Sequence, residues 1–296
     1  MIEAVVPVRT PYRLDLTAVV LRRLSTNVVD VFDGTVYRRL LGDPNAPALL
    51  SVEQIAPDAL AVRLEGAGAQ TFDPAAIVRR TLGAQVDLAA FYLGARRIPW
   101  LDGIARGALG VRPPRYPSLW ETVCNAVVYQ QVSIHAAGAI LRRTIERFSQ
   151  PVEVAGSRLF PFPSTRVILE ADPLELRAAG QSIQKINAMK SVAAAIEAGD
   201  LDEMSLEALP TPELLAALVA HKGIGPWTAA VIALRGFGRL DIFPMKDSGA
   251  EAGLRKLSGD TSTVAGPIID ALRPQQGMLY YHLLLGRLHA TGEITL

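Results

Sequence analysis

The chain has 296 residues, half of them hydrophobic, with 30 basic and 29 acidic side chains and a formal net charge of +1. This length and apolar content suffice for one large or two medium globular domains with a substantial core, and they exclude a disordered or fibrous chain. The near balance of charge neither requires nor excludes a nucleic-acid partner, because acidic residues elsewhere can offset a basic face.

Membrane and redox-cluster proteins are excluded next. The sequence contains no run of about 18 uncharged apolar residues, and its first residues lack the basic start and apolar core of a signal peptide. We therefore expect a cytoplasmic protein without a membrane partner. The only cysteine, Cys124, excludes an intramolecular disulfide and an iron–sulfur cluster held by four thiolates.

Residues 1–108 are predicted to form an α+β domain with a small antiparallel sheet. Asp33-Gly34 lies between two β-branched stretches and predicts a hairpin, and residues 47–55 and 59–66 follow as two further strands. Residues 73–83 and 87–97 have helical patterns, each opened by an aspartate suited to capping. Helices on one face of a short antiparallel sheet make an α+β layer.

The Gly- and Pro-rich residues 107–117 are the predicted boundary, and residues 109–296 are predicted to be helical throughout. Ser118 and Glu121 have capping-box spacing at the start of a helix that runs to about Gln131, and Ser133 can cap the next helix. Three more helix starts are predicted at Asp172-Pro173, Ser182 and Thr211-Pro212.

The most informative stretch is residues 221–247, which read HKGIGPWTAAVIALRGFGRLDIFPMKD. One helix is predicted to end at His221 and another to begin near Trp227, so that the chain reverses within five residues. Gly223 and Gly225 can take positive φ, and they have no Cβ, so their backbone can approach a rigid ligand. Their N–H groups and the following helix N-terminus would suit a phosphate. A simple helix–turn–helix corner is the alternative.

Three segments carry a resemblance to a known family. Residues 119–148 contain a helix pair around QQVS, residues 162–201 follow it, and residues 218–247 contain the KGIG hairpin and end on Asp247. In this order they resemble the helix-hairpin-helix DNA glycosylases, and within them the 3-methyladenine DNA glycosylase II branch. The resemblance covers about residues 110–290. It implies a mainly α fold, with the active site in a cleft between two helical subdomains and an α+β domain before them.

The resemblance also implies how the protein would hold double-stranded DNA that contains damaged bases. In the family the hairpin grips the DNA backbone through main-chain N–H groups, often with a bound monovalent cation, and catalysis needs no cofactor or metal. Gln131, at the QQVS corner, matches the residue that enters the base stack; an exposed polar pair with Gln130 is the alternative. The implied DNA contacts are Lys222, Gly223, Ile224, Gly225, Thr228, Gln130, Gln131 and Ser133.

Asp247 stands where the family has its catalytic aspartate. Breaking an N-glycosidic bond leaves positive charge on the sugar, which a carboxylate held against C1′ can stabilise while it orients or deprotonates water. From the bare sequence, Asp247 is also a suitable N-cap for the helix that follows, and the two roles are compatible.

Trp227 predicts the type of reaction. Bifunctional members of the superfamily have, two residues after the second hairpin glycine, a lysine that attacks the sugar; this chain has Trp227 there. The resemblance therefore implies a monofunctional hydrolase without lyase activity. It places Trp227 and Tyr281 in the base pocket. Lys222 and Lys246 are interpreted as phosphate contacts or as solvated charges.

Some positions depart from the family pattern and leave the preferred lesion open. Gln276 replaces a usual arginine, Leu284 falls where an aromatic residue is expected, and Val231 is aliphatic where some relatives have tyrosine. Stacking on electron-poor alkylated bases should be weaker in such a pocket, although Tyr280 and Tyr281 could restore aromatic surface. The sequence thus predicts a monomeric, bacterial-type, nucleoid-associated DNA glycosylase, with a non-catalytic DNA-binding protein or a different lesion preference as alternatives.

Overall fold

The computed structural model describes residues 1–296 and contains fifteen α-helices and two antiparallel sheets. The larger sheet has five strands and lies in the N-terminal part of the chain. The predicted fold class, mainly α with a small antiparallel sheet at the start, is confirmed. None of the helices is both long and apolar enough to cross a bilayer.

The five-stranded sheet contains the predicted hairpin. The carboxylate of Asp33 accepts the N–H groups of Thr35 and Val36 at 2.9 and 2.8 Å, and Gly34 has φ +104°, so the chain reverses within this turn. The strands are β1 Ile2–Pro7, β2 Val31–Phe32, β3 Val36–Leu41, β4 Ala48–Ala56 and β5 Ala59–Glu65. Their order in the sheet is β1-β5-β4-β3-β2, and every pair is antiparallel.

Four helices belong to the first 108 residues, and two of them were predicted. Asp73 caps the second helix as expected, whereas Asp87 lies one residue before the N-cap of the third and accepts the Ala89 N–H at 2.9 Å. The first helix escaped prediction because its N-cap, Arg13, supplies no side-chain cap. The helices are α1 Leu14–Arg22, α2 Pro74–Leu82, α3 Ala89–Ala95 and α4 Pro99–Gly107.

The remaining residues form eleven helices and one short hairpin. The hairpin, β6 Val152–Val154 and β7 Ser157–Leu159, makes the prediction of an entirely helical region wrong at this point. Its turn residues Ala155 and Gly156 both have positive φ, a geometry that Asn-Gly or Asp-Gly would have signalled more strongly. The helices are α5 Leu119–Val128, α6 Ile134–Phe148, α7 Thr165–Glu170, α8 Pro173–Ala178, α9 Ile183–Ala198, α10 Glu203–Ala208, α11 Thr211–Val219, α12 Pro226–Arg235, α13 Ser248–Ser258, α14 Ala265–Ala271 and α15 Gly277–Ala290.

Four of the predicted helix caps beyond residue 108 are observed, whereas the helix predicted at Thr211-Pro212 has Pro210 as its N-cap and no side-chain cap. Ser118, Ser133, Asp172 and Ser182 each accept a backbone N–H in the first turn of the helix they precede. The side chain of Glu121 does not complete a capping box. Helix α5 also ends at Val128, with Tyr129 as its C-cap, before the predicted Gln131.

Glu121 instead joins a buried ion network that connects the sheet to α5. Arg39 on β3 donates to Glu121 at 2.7 Å and to Asp30 at 2.8 Å, and the Tyr37 hydroxyl donates to Asp30 at 2.6 Å. All four side chains are buried. Burial raises the pKa of Glu121 to about 7. Removing one charged member of this network would leave an unpaired buried charge, which is strongly destabilising.

Three hydrophobic clusters make up the core of the protein. One cluster lies under the sheet with α1 and α2, a second joins α5–α12, and a third joins α3 and α4 to α13 and α15. Helices α3 and α4 therefore precede the predicted boundary at residue 108 but pack with helices beyond it. The boundary itself stays a prediction.

His282, in the third cluster, should make stability depend on pH. The ring is fully buried against Phe91, its Nδ1 lies 2.9 Å from the Met278 carbonyl oxygen, and burial lowers the pKa of His282 to about 4. Between pH 6.5 and 4 the unfolded chain binds more protons than the folded one, so stability falls as pH falls. We expect His282→Gln to remove about 2–3 kcal/mol of the loss between pH 7 and 4.5, measured as urea unfolding free energies. Parallel pH profiles for both proteins would contradict this account.

Candidate active site

A cleft of about 920 Å³ lies between the α5–α12 cluster and the cluster that contains α13 and α15. One wall is the QQVS corner with the start of α12, and the other is residues 246–250 with one face of α15. Arg23, from the end of α1, also lines it. Residues distant in sequence thus converge on one concave surface, which is the usual setting of a binding site.

Asp247 lies in this cleft, and both of its carboxylate oxygens are held. Its Oδ1 accepts the Ala250 N–H at 2.8 Å, so Asp247 is the N-cap of α13. Its Oδ2 accepts the indole N–H of Trp227 at 3.0 Å and the hydroxyl of Tyr280 at 3.2 Å. The capping role is confirmed. The catalytic role stays a prediction, for a carboxylate whose orientation three donors define.

Of the two adjacent tyrosines on α15, Tyr280 lies in the cleft and Tyr281 does not. Tyr280 lines the cleft, and burial, with the adjacent Asp247 charge, raises the pKa of its phenol so that it stays a hydrogen-bond donor. Tyr281 is fully buried outside the cleft, with its hydroxyl 3.4 Å from the carbonyl oxygens of Pro114 and Leu234. The assignment of Tyr281 to the base pocket is therefore wrong. Helical spacing from Leu284, expected at a pocket position four residues later in the chain, would have selected Tyr280.

The two hairpin glycines differ in why they are needed. Gly223 has φ +93°, and a Cβ there would lie 2.4 Å from the Cβ of Ala188 on α9, so this glycine is required by packing. Gly225 has φ −85° and ψ 175°, which corrects the expectation of positive φ. A Cβ at Gly225 would meet nothing within 4 Å. Its missing side chain leaves the surface open rather than relieving a clash inside the protein.

The hairpin presents unused backbone donors. The N–H groups of Gly223, Gly225, Trp227 and Thr228 donate to no acceptor within the protein. The N–H of Ile224 does donate, to the His221 carbonyl at 3.1 Å, so the expected DNA contact through this group is not available. The Ile224 side chain is buried in the core. The unused donors at a helix N-terminus form an arrangement that suits an anion.

The QQVS corner is tied to the hairpin. Gln130 donates to the Thr228 hydroxyl at 2.7 Å, so both side chains connect protein segments, and Thr228 is buried. Gln131 is exposed with φ +57°, a conformation that non-glycine residues seldom adopt, and its side chain makes no hydrogen bond. The Ser133 hydroxyl accepts the Ala136 N–H at 3.2 Å as the α6 cap. Of these four residues, Gln131 is the one whose side chain makes no hydrogen bond within the protein.

Two lysines flank the site differently. Lys246 borders the cleft beside Asp247 and has φ +61°, whereas Lys222 lies outside the cleft lining. Both are exposed, and neither has a carboxylate within 4 Å. They are therefore free to contact an anionic partner.

Positions that depart from the family pattern have separate explanations. Leu284 lines the cleft, so this wall is aliphatic. Val231 is buried in the α5–α12 cluster and does not reach the cleft. Gln276 is buried and donates to the backbone carbonyl of Asp241, so it holds the loop before residue 247.

Three residues that line the cleft, namely Arg23, Tyr129 and Arg287, were missed at the level of sequence. Of these, only Arg287 could have been found, by its helical spacing from Leu284 on α15.

Comparison with known proteins identifies the superfamily of the chain. The family model described as "HhH-GPD superfamily base excision DNA repair protein" matches residues 124–265, which include the QQVS corner, the hairpin and Asp247. The chain belongs to this superfamily. A DNA-3-methyladenine glycosylase of Bacillus subtilis is 28% identical over 163 residues, covering 55% of this chain and 54% of that protein. A probable bifunctional transcriptional activator/DNA repair enzyme AlkA of Mycobacterium tuberculosis is 31% identical over 257 residues, covering 85% and 50%. The chain spans about half the length of these curated relatives.

Solved structures share the fold of this superfamily member over almost its whole length. The 3-methyladenine DNA glycosylase of Archaeoglobus fulgidus superposes with a TM-score of 0.78 at 21% identity, covering 96% of this chain and 98% of that one. The 8-oxoguanine glycosylase/lyase of Clostridium acetobutylicum, in complex with double-stranded DNA, has a TM-score of 0.67 at 15% identity, covering 91% and 90%. At these identities the likeness establishes the fold alone.

Proposed function

We propose that the protein is a monofunctional DNA glycosylase of base excision repair. It extrudes an alkylated base of the 3-methyladenine type, or an otherwise damaged base, hydrolyses the N-glycosidic bond and leaves an abasic site. The observation that carries this proposal is the carboxylate of Asp247, held by Trp227 and Tyr280 in a cleft beside a donor-rich hairpin. The names of the curated relatives support it.

The geometry suits hydrolysis of this bond. With the hairpin N–H groups on a phosphate and the damaged nucleotide turned into the cleft, the Asp247 carboxylate would face the sugar. As the bond breaks, its negative charge stabilises the positive charge that develops at C1′, and it can accept a proton from the attacking water. The donors from Trp227 and Tyr280 hold the carboxylate in place, so little reorganisation is needed during the reaction.

The absence of lyase activity is part of the proposal. A lyase needs an amine that attacks C1′, and this chain has Trp227 at the family's lysine position. The one amine that borders the cleft is Lys246. We expect no covalent adduct with DNA under borohydride; if an adduct forms, its loss in Lys246→Gln would identify Lys246 as the nucleophile and refute a monofunctional reaction.

A base-release assay tests the function directly. Duplexes that each carry one defined lesion are incubated with the protein, and free bases are measured by mass spectrometry, with the undamaged duplex as control. Release of a damaged base is expected. If the protein binds these duplexes and releases no base, it is the alternative, a non-catalytic DNA-binding protein built on the same hairpin.

Gln131 is proposed to fill the gap that an extruded base leaves. Its insertion would offset part of an unstacking cost on the order of a few kcal/mol. Gln131→Ala should therefore slow excision from well-paired duplexes about tenfold more than excision of the same lesion from a mismatch or a single strand. Single-turnover rates measure this, with Gln70→Ala, another exposed glutamine, as control. Equal losses on all substrates would show that Gln131 is not a wedge.

A monovalent cation at the hairpin is also proposed, and so is a monomeric state. The side chains form no cluster of three or more acidic, histidine or cysteine residues that could hold a metal ion. The carbonyl oxygen of Ile224, however, accepts no backbone N–H. Carbonyl oxygens suit a weakly hydrated monovalent ion, which when bound would add positive charge beside a DNA phosphate. Replacing potassium by tetramethylammonium at equal ionic strength should weaken binding to undamaged duplex.

A further inference from the structure

Arg23 is the only positively charged residue contributed to the cleft by the N-terminal part of the chain. It follows α1 with φ +63° and ψ −55°, and its backbone N–H donates to the Val19 carbonyl. Only 6% of the residue is exposed. A non-glycine residue in this conformation is strained, and such strain concentrates at functional sites.

Arg23 is a buried cation without a counter-ion. No carboxylate lies within 4 Å of it, whereas Arg39, equally buried, pairs with Asp30 and Glu121. Burying an unpaired charge is costly unless something compensates it. The compensation present is the ring of Tyr129, 4.0 Å below the guanidinium carbon.

The guanidinium also has hydrogen-bond donors to spare. Its side chain donates to no backbone carbonyl, unlike Arg235, which donates to Val20 at 3.0 Å. Some guanidinium nitrogens of Arg39 and Arg235 are buried from solvent and have no hydrogen-bond partner. No nitrogen of Arg23 is in this state. Because Arg23 lines the cleft and none of its nitrogens is sealed from solvent without a partner, its remaining N–H groups are accessible to a base bound in the cleft.

This arrangement disfavours a cationic base. One face of Tyr129 is already covered by a protein cation, so a positively charged alkylated base cannot stack on that face. Leu284 makes another part of the wall aliphatic. The positive charge of Arg23 would also repel a cationic base in the same cleft.

The same charge assists a neutral base. When the N-glycosidic bond breaks, its electron pair goes to the base nitrogen. A cationic alkylated base then leaves as a neutral molecule, whereas a neutral base leaves as an anion that takes a proton from water. Donors aimed at a carbonyl oxygen or ring nitrogen of that anion stabilise the charge that develops in the transition state.

We propose that Arg23 is a specificity-determining residue, which makes the cleft selective for neutral damaged bases with carbonyl or ring-nitrogen acceptors over cationic alkylated bases. This rests on the proposed glycosylase function and narrows its substrates from alkylated or otherwise damaged bases to the neutral damaged bases, with cationic bases such as 3-methyladenine disfavoured. Hypoxanthine and uracil represent the neutral class, and 7-methylguanine and 3-methyladenine the cationic class.

Single-turnover rates of base release on duplexes with one such lesion test the proposal. In the wild type, hypoxanthine or uracil should be released. Arg23→Met should lower that rate at least about tenfold, while release of cationic bases changes less than about threefold or rises. Arg23→Lys, which keeps the charge, should recover part of the loss. Arg22→Gln is the matched control, because Arg22 lies outside the cleft and donates to the Phe32 carbonyl.

The outcomes separate this inference from the function on which it rests. Equal losses on both classes in Arg23→Met, or a wild type that releases only cationic bases, would overturn the role of Arg23 and leave the glycosylase intact. The second outcome needs no variant, so the test holds even if Arg23→Met melts at a lower temperature. A wild type that releases no base from any duplex would refute the glycosylase function itself.

Discussion

Asp247→Asn should lower the single-turnover rate of base release at least about a hundredfold, equivalent to about 2.7 kcal/mol of transition-state stabilisation. A neutral amide cannot offset the positive charge that develops on the sugar. The fold should persist, because asparagine is a good N-cap and its oxygen can still accept the Ala250 N–H. DNA binding should also persist, since the hairpin N–H groups are untouched.

Asp202→Asn is the matched control for this variant. Asp202 also caps a helix with its carboxylate, accepting the Ser205 N–H at 2.7 Å, but it lies outside the cleft. Asp202→Asn therefore removes one negative charge from a helix N-cap, as Asp247→Asn does. Its excision rate should equal that of the wild type. Near-wild-type excision by Asp247→Asn would refute the mechanism, and equal losses in the two variants would reduce Asp247 to a cap.

The two hairpin glycines should respond differently to valine. Gly223→Val places a Cβ against Ala188 in a left-handed backbone, and should lower the free energy of unfolding by about 3 kcal/mol. Gly225→Val fits the extended backbone and meets no neighbour, so stability should change by less than about 1 kcal/mol. Yet it should weaken DNA binding about tenfold, because a bulky side chain would keep phosphates from the backbone donors.

The loss in Gly225→Val should be the same for damaged and undamaged duplexes, since phosphate contacts carry no base information. Thermal melting and fluorescence anisotropy measure the two effects separately. Gly103→Val on α4 is the control, because it also has open space around its Cβ but lies outside the cleft. Unchanged binding by Gly225→Val would show that DNA does not approach this part of the hairpin, and loss on one lesion alone would show that the hairpin contacts bases.

Local features of the fold followed from the sequence alone. The Asp33-Gly34 hairpin, the caps at Ser118, Ser133 and Ser182, and the reversal around Gly223 were predicted because their signals lie within a few residues of the structure they specify. Hydrogen bonds between a side chain and the next turn depend little on distant packing. The family, and with it the position of Asp247, was recognisable for the same reason, since its motif is a continuous segment.

Only the tertiary structure decided how that segment becomes a site. It brought Trp227 and Tyr280 to the same carboxylate oxygen, put Tyr281 in the core instead of the cleft, and showed that Gly225 is extended. It also brought Arg23 and Asp247, which are more than two hundred residues apart in the sequence, to the same cleft. Which face of a helix is buried, and which distant charge lies beside it, depends on packing between elements, and no local pattern encodes that packing.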